Sequence, residues 1–173
     1  MRTEIIYEDR DLLVVRKSAG LASQTSKVGQ PDVVSELKNY LSAQFFGKGP
    51  LPGTAVSKAC RQEPFLGVVH RLDQPVEGLL VFAKNKKAAA DLSAQLQCRE
   101  GADVLNKRYY AVLCADPPED AGELIDYLYK DRTCRAMVLD PPDYGRFPQP
   151  QKAILEFSVL RKAAIPGVQK QDW

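Results

Sequence analysis

The amino-acid sequence predicts an α+β fold in which helices flank a mixed, largely antiparallel β-sheet. Short segments rich in apolar and β-branched residues recur along the chain between turn residues, which is typical of strands. Two other segments carry apolar residues at helical spacing. Strands and helices do not alternate regularly, so the βαβ units of a parallel sheet are not expected.

The first predicted element is a β-hairpin. Residues Ile5–Tyr7 and Leu12–Val15 are apolar and β-branched, and the polar residues 8–11 between them suit a turn. The segment 17–20 then interrupts the pattern.

The second predicted element is an amphipathic helix over residues 33–42, where apolar residues recur at helical spacing. Asp32 stands where its carboxylate can cap the first turn of that helix. The stretch from Phe46 to Pro64 is rich in glycine and proline, which predicts a long surface loop.

A buried strand and a second helix are predicted next. Leu79–Ala83 is a short continuous apolar run, and its length favours a strand over a helix. Asn85 follows as a helix cap, and apolar residues then fall on one face over Lys86–Gln97.

Three more strands are predicted towards the C-terminus. Arg108–Leu113 is aromatic and β-branched, and Met137–Leu139 and Ala153–Leu160 are separated by a proline-rich loop over 141–150. In the last strand apolar and polar residues alternate, which indicates a sheet with one face against a core.

The composition predicts one folded domain. A chain of 173 residues that is 45% hydrophobic can bury a core without disulfides or a metal. The net charge of +2 neither requires nor excludes a nucleic-acid partner, because a binding groove needs only a local basic stripe.

The cysteines and the N-terminus favour a cytoplasmic protein. There is no Cys-x-x-Cys pair and one histidine, so we expect buried, reduced thiols and no metal site. The chain opens with the charged residues Arg2 and Glu4 and has no run of ~20 apolar residues, so neither a secretory signal nor a membrane span is expected. The cysteines are Cys60, Cys98, Cys114 and Cys134.

The segment from His70 to Lys84 carries the most specific pattern in the sequence. It begins His-Arg-Leu-Asp, continues to a glycine at position 78, and ends in an apolar run closed by Ala-Lys. This segment resembles the central motif of the RluA-type RNA pseudouridine synthases. Val76 and Glu77 stand where that family usually has Thr-Ser.

Other segments resemble the same family in the same order. Ile5–Val15 is similar to its opening strand pair, and Lys17 to Leu21 to its Lys-Pro-x-Gly turn, with Ser18 in place of the proline. Lys107–Val112 resembles the second motif, Lys-x-Tyr-x-Ala. The resemblance implies the catalytic-domain fold of that family and an enzyme that isomerises specific uridines in ribosomal or transfer RNA. The remaining similar segments are 85–96 and 152–160.

The resemblance assigns the chemistry to Asp73, which would attack the ribose of a flipped-out uridine. Pseudouridine forms when the bond from ribose C1′ to uracil N1 breaks and the turned base rejoins through C5. A carboxylate can act as the nucleophile at C1′ or as a base at the neighbouring sugar carbon, and the sequence leaves both open. The resemblance further implies that Arg71 fills the space of the extruded nucleotide, that Tyr109 packs against the flipped uracil, and that no cofactor is needed.

Roles outside the chemistry are expected for other residues near these motifs. His70 is expected to hold its loop by a hydrogen bond. Tyr110 is expected to face the opposite side of its strand from Tyr109. Six basic residues are open to two interpretations. They form a phosphate-tracking surface, which contacts successive phosphates of an RNA, or they are ordinary solvated side chains. These residues are Lys17, Lys84, Lys86, Lys87, Lys107 and Arg108.

Two other functions fit parts of the pattern. One is a glycosidase with Asp73 and Glu77 as its carboxylate pair, but Pro75 and Gly78 argue against the helix that would bring them together. The other is an RNA-binding module without catalysis.

One part of the family pattern has no counterpart in this sequence. In the family, the β segment that Ala153–Leu160 resembles is followed by a further strand and then by a third motif, Thr-Gly-Arg-x-His-Gln-Ile-Arg. The basic residue of that motif pairs with the catalytic aspartate. We therefore expect 1–173 to form a single catalytic domain that is truncated at its C-terminal end and lacks an N-terminal S4-like domain. Such a chain is expected to bind structured RNA weakly, to make no pseudouridine, and to self-associate through an exposed sheet edge.

Overall fold

The structure is a computed structural model that describes two compact units, Met1–Arg108 and Tyr109–Trp173. Each unit is built on an antiparallel sheet, and the helices belong to the first, so the predicted α+β class is confirmed. The described residues are 1–25, 27, 29–46, 64–98, 104–131, 136–140, 147 and 150–162, without the side chains of 45 and 46.

The first unit contains a four-stranded sheet of β1 (Glu4–Glu8), β2 (Leu12–Lys17), β3 (Gly67–Val68) and β4 (Gly78–Ala83). The strand order is β1-β2-β4-β3, and every neighbouring pair is antiparallel. The predicted hairpin and central strand are confirmed. Strand β3 was not predicted, because two residues are too few to show a pattern.

Two helices pack on opposite faces of this sheet. Helix α1 (Val33–Phe46) is capped by Asp32, whose Oδ1 accepts from the amide of Ser35 at 2.8 Å. Helix α2 (Lys86–Gln97) is capped by Asn85. Both caps are confirmed, and α1 ends at residue 46 rather than at the predicted 42. Among the described residues no helix is long and apolar enough to cross a membrane.

The core of the first unit follows from the alternation of side chains along β2 and β4. Leu13 pairs with Phe82 and Val15 with Leu80, so these four buried side chains share one face of the sheet. They pack against the apolar stripe of α1. On the other face, Ala83 packs against α2. Each large side chain that is fully buried in this way contributes about 1.5–3 kcal/mol. The α1 and α2 residues in these contacts are Val33, Val34, Leu37, Ala88 and Leu92.

The second unit contains a three-stranded antiparallel sheet of β5 (Ala121–Lys130), β6 (Ala136–Leu139) and β7 (Gln151–Ser158) in the order β6-β5-β7. The two strands predicted near 137–139 and 153–160 are confirmed, the latter displaced by two residues towards the N-terminus. Strand β5 was not predicted, because its adjacent apolar pairs and its charged residues obscure a period of two. Strand β7 is an edge of the described sheet, and self-association through it stays a prediction.

The predicted strand over Arg108–Leu113 is wrong. The segment has no strand assignment in the structure, and the side chains of Tyr110 and Val112 are each 90% exposed. Aromatic and β-branched residues favour a strand only where a neighbouring strand and a core receive them, and here no described strand pairs with the segment. Tyr109 and Tyr110 therefore do not lie on opposite faces of a strand, as was expected.

The burial predicted for the cysteines is also wrong where it is tested. Cys98 ends α2 and Cys114 follows the exposed segment, and both thiols are exposed. Cys60 and Cys134 lie outside the described residues, as do most of the predicted loops over 46–64 and 141–150.

Adjacent leucines on β4 test the predicted core. Leu80→Ala should lower the free energy of unfolding by about 2–5 kcal/mol, because it leaves a cavity beneath α1. Leu79→Ala removes the same atoms from a side chain that is 57% exposed and should cost about 0.5 kcal/mol or less. Urea unfolding of both variants measures the difference. Equal losses of unfolding free energy would show that Leu80 is not part of the core beneath α1.

Candidate active site

A polar cleft in the first unit brings together two of the three predicted site residues. Arg71 and Asp73 both line it, and its volume is about 600 Å³. Lys107 lines it as well. The lining residues from the segment after β2 are Ala22, Ser23, Gln24, Thr25, Lys27 and Gln30. Tyr109 is the first residue of the second unit, where its side chain is 60% exposed, and its assignment to the site stays a prediction.

Asp73 lies at the start of a tight turn that leads into β4. The amide of Val76 donates to the carbonyl oxygen of Asp73 at 3.1 Å, and the strand begins two residues later at Gly78. The side chain of Asp73 is exposed, and no hydrogen bond within the described residues reaches its carboxylate. The backbone is therefore fixed while the carboxylate stays open to a substrate.

The backbone on both sides of Asp73 is held by the segment that follows β2. On one side, the hydroxyl of Ser23 donates to the carbonyl of Leu72 at 2.6 Å and accepts from its amide at 3.1 Å. On the other side, the amide of Gly20 donates to the carbonyl of Gln74 at 2.8 Å, and the Gln74 side chain donates back to the carbonyl of Gly20 at 3.0 Å.

Gly20 is needed for the shape of that segment. The amide of Leu21 donates to the carbonyl of Ser18, and Gly20, in the third position of this turn, has a φ of +83°. A type II turn requires a positive φ at this position, which glycine adopts without steric cost. The turn directs the Gly20 amide towards Gln74.

Lys17 lies fully buried beneath the Asp73 turn. Its ammonium donates to the carbonyls of Leu21 at 2.7 Å and Gln74 at 3.1 Å, and more distantly to that of Ser18. Burial lowers the pKa of Lys17 below that of an ordinary lysine, while the carboxylates of Asp73 and Glu77 oppose this shift. Lys17 thus supports the turn from within the fold.

The six basic residues considered for a phosphate-tracking surface differ in how open they are to a partner. Lys17 is buried, Lys84 pairs with Glu8 at 2.7 Å, and Lys87 pairs with an acidic residue of α2. Lys86, Lys107 and Arg108 are exposed and make no ion pair within the described part of the chain. Among these three, Lys107 lines the cleft beside Asp73.

His70 has the structural role that was predicted for it. Its Nε2 accepts a hydrogen bond from the backbone amide of Val81 at 3.1 Å, which ties the segment before Asp73 to β4. Burial lowers the pKa of His70, and the nearby ammonium of Lys107 lowers it further. Both effects favour the neutral ring, which can accept this bond.

Asp73 and Glu77 are not brought together by a helix, as the carboxylate pair of a glycosidase would require. Residues 73–76 form a turn and not a helix, as Pro75 and Gly78 predicted. The Glu77 carboxylate instead lies 3.8 Å from the guanidinium of Arg16 on β2. Within the described residues, no group of His, Cys, Asp and Glu is arranged to hold a metal ion.

Two residues of this site were not singled out for the roles that they have. Ser23 contacts Leu72 across 49 positions of sequence, and no local pattern signals such a pairing. Lys17 was expected on the surface, although the alternation along β2 that buries Leu13 and Val15 also places Lys17 on the inner face.

The comparisons with known proteins agree with this fold. The model of the RNA pseudouridylate synthase family matches residues 11–164. The chain is 35% identical over 120 residues to the dual-specificity RNA pseudouridine synthase RluA of Vibrio vulnificus. The aligned region covers 69% of this chain and 38% of the relative. It is also 35% identical over 116 residues to the ribosomal large subunit pseudouridine synthase D of Zymomonas mobilis, and this alignment covers 66% of this chain and 31% of the relative.

A solved structure shows the same fold. The human RNA pseudouridylate synthase domain containing 4 aligns with a TM-score of 0.52 and 18% identity, over 92% of this chain and 54% of the human chain. The chain therefore belongs to the RNA pseudouridylate synthase family, as the motifs predicted. It spans less than half the length of the two curated relatives, at 38% and 31%.

The hydrogen bond of His70 predicts a dependence of stability on pH. Because the folded chain takes up a proton on His70 at lower pH than the unfolded chain does, the free energy of unfolding should fall as pH drops below about 6.5. His70→Asn keeps an acceptor for the Val81 amide but does not titrate, so it should lose less stability over the same interval. Urea unfolding between about pH 5 and 7 gives both slopes, and identical slopes would exclude His70 as the cause.

Proposed function

We propose that this chain provides the catalytic aspartate and much of the substrate cleft of an RNA pseudouridine synthase. The observation that carries the proposal is the setting of Asp73. Its carboxylate is exposed in a polar cleft, while the backbone on either side is fixed by Ser23, Gly20 and the buried Lys17. Catalytic groups require this combination of a rigid support and an open reactive atom.

The chemistry assigned to Asp73 is attack on the ribose of a target uridine. As a nucleophile at C1′, the carboxylate would form an ester and break the bond from C1′ to N1, so that uracil leaves through N1. As a base it would take the proton from the neighbouring sugar carbon, so that uracil leaves by elimination. In both cases the uracil stays in the cleft, turns, and bonds to C1′ through C5. This step expels the carboxylate from C1′ in the first route and is accompanied by return of the sugar proton in the second, and in both C5 loses its proton and N1 gains one. A cleft of about 600 Å³ is within the range that small-molecule sites occupy, and it can hold one nucleotide.

Arg71 is proposed to compensate for the nucleotide that leaves the RNA stack. Its side chain is exposed and lines the cleft two residues from Asp73. A planar guanidinium can stack on a base and contact a phosphate, which offsets part of the few kcal/mol that base flipping costs. Tyr109 is proposed to pack against the flipped uracil, and this assignment rests on the resemblance of Lys107–Val112 to the second motif.

The proposed partner is structured RNA, ribosomal or transfer, in the cytoplasm. The names of the two curated relatives refer to RNA and to the large ribosomal subunit. Lys107 and Arg71 give the cleft a positive rim that suits the phosphates next to the target nucleotide. No cofactor is proposed for the reaction, because it involves no net oxidation or reduction and the Asp73 carboxylate itself supplies the nucleophile or the base.

Replacing the proposed catalytic carboxylate should separate chemistry from binding. In the natural protein, Asp73→Asn should abolish pseudouridine formation, because an amide is neither a useful nucleophile nor a base. The affinity for RNA should stay within about threefold, since it is spread over many phosphate contacts. Turnover is counted as pseudouridine formed in a uridine-containing RNA, and binding is measured on the same RNA.

The matched control is Asp91→Asn, which makes the same chemical change on the exposed surface of α2, where Asp91 pairs with Lys87 at 3.0 Å. It should leave turnover unchanged. Substantial pseudouridine formation by Asp73→Asn would refute the assignment. Release of free uracil by the unaltered protein would indicate a glycosidase, and binding without any product would indicate an RNA-binding module.

A further inference from the structure

We infer that Ser23 is a positioning residue for the reaction at Asp73, because its one hydroxyl fixes both peptide planes that link Arg71 to Asp73. The inference rests on the proposed function, and it adds to that function a residue outside the His-Arg-Leu-Asp motif. Ser23 is 4% exposed and lines the same cleft as Arg71 and Asp73.

The hydrogen bonds of Ser23 have a specific geometric effect. The amide of Leu72 lies in the peptide plane shared with Arg71, and its carbonyl lies in the plane shared with Asp73. Ser23 Oγ accepts from that amide at 3.1 Å and donates to that carbonyl at 2.6 Å. A hydroxyl has one proton and two lone pairs, so it can make both bonds together. The orientation of Arg71 relative to Asp73 is thereby set by one atom.

Ser23 is itself anchored to the core of the first unit. The amides of Val33 and Val34, at the start of α1, donate to the carbonyls of Ala22 at 3.0 Å and Ser23 at 3.2 Å. These amides have no acceptor within the helix, so the bonds also complete its N-terminus. Since Val33 and Val34 are buried in the core, the Ser23 backbone is held by the packed part of the unit.

The anchor on the other side of Asp73 does not involve Ser23. The carbonyl of Gln74 accepts from the Gly20 amide and from the Lys17 ammonium. Loss of the Ser23 hydroxyl therefore leaves the turn attached at Gln74 and frees only the link between Arg71 and Asp73. The expected consequence is a change in catalytic geometry within a protein that remains folded.

Serine-to-alanine changes at two positions test the inference in the natural protein. Ser23→Ala should lower kcat by about 10- to 100-fold, since small displacements of reacting groups have effects of this size. The KM for RNA should change by less than about threefold, because the phosphate contacts remain. Ser93→Ala on α2 is the control: its hydroxyl donates to the carbonyl of Ala89 at 2.7 Å in a part-buried position, and its loss should leave kcat and KM unchanged. Ser23→Thr keeps the hydroxyl and should recover most of the turnover.

Amide hydrogen exchange provides a second measurement that needs no turnover. In Ser23→Ala the Leu72 amide should exchange faster, while the Gly20 amide, bonded to Gln74, should keep the rate of the unaltered protein. Accelerated exchange at both amides would show that Ser23 serves folding in general, and the inference would be overturned.

The outcomes also separate this inference from the proposed function. If Asp73→Asn abolishes turnover and Ser23→Ala behaves like Ser93→Ala, the positioning role is wrong and the proposed function stands. If the natural protein without any substitution makes no pseudouridine, the proposed function fails, and exchange at Leu72 and Gly20 still decides whether Ser23 fixes the link between Arg71 and Asp73.

Discussion

The hydrogen bonds that the buried Lys17 ammonium donates are the interaction on which the arrangement of the first unit depends. Removing a charged group from water costs several kcal/mol unless hydrogen bonds replace its hydration. Here three backbone carbonyls do so, from Ser18, Leu21 and Gln74. These carbonyls belong to two segments far apart in sequence. Because they all accept hydrogen bonds from one cation, the turn after β2 lies against the turn that carries Asp73.

This constraint explains why the candidate site combines a rigid backbone with an open carboxylate. Lys17 and Gly20 hold Gln74, Ser23 holds Leu72, and His70 ties the preceding segment to β4. All of these bonds are made to backbone groups or from them, so none of them occupies the Asp73 carboxylate. The polar contacts that stabilise the turn and the group proposed to react are thus separate parts of the same loop.

The sequence was most informative where a regular pattern and a local contact coincide. The caps of α1 and α2 were predicted because Asp32 and Asn85 each act within three residues of their own position. The segment Arg108–Leu113 was mispredicted because its composition suits a strand whether or not a partner strand is available. Strand β5 was missed for the opposite reason, since its pairing with β6 and β7 forms a sheet that its own residues do not indicate.

The sequence by itself determined the family, the fold class and the residues Arg71 and Asp73 of the candidate site, because motif order and hydrophobic period are properties of the chain alone. The tertiary structure decided which polar residues support that site. Lys17 proved to be buried and Ser23 proved to bind Leu72, a contact between residues 49 positions apart. Burial and long-range hydrogen bonds depend on which surfaces meet when the sheet and helices pack, and a linear pattern does not contain that information.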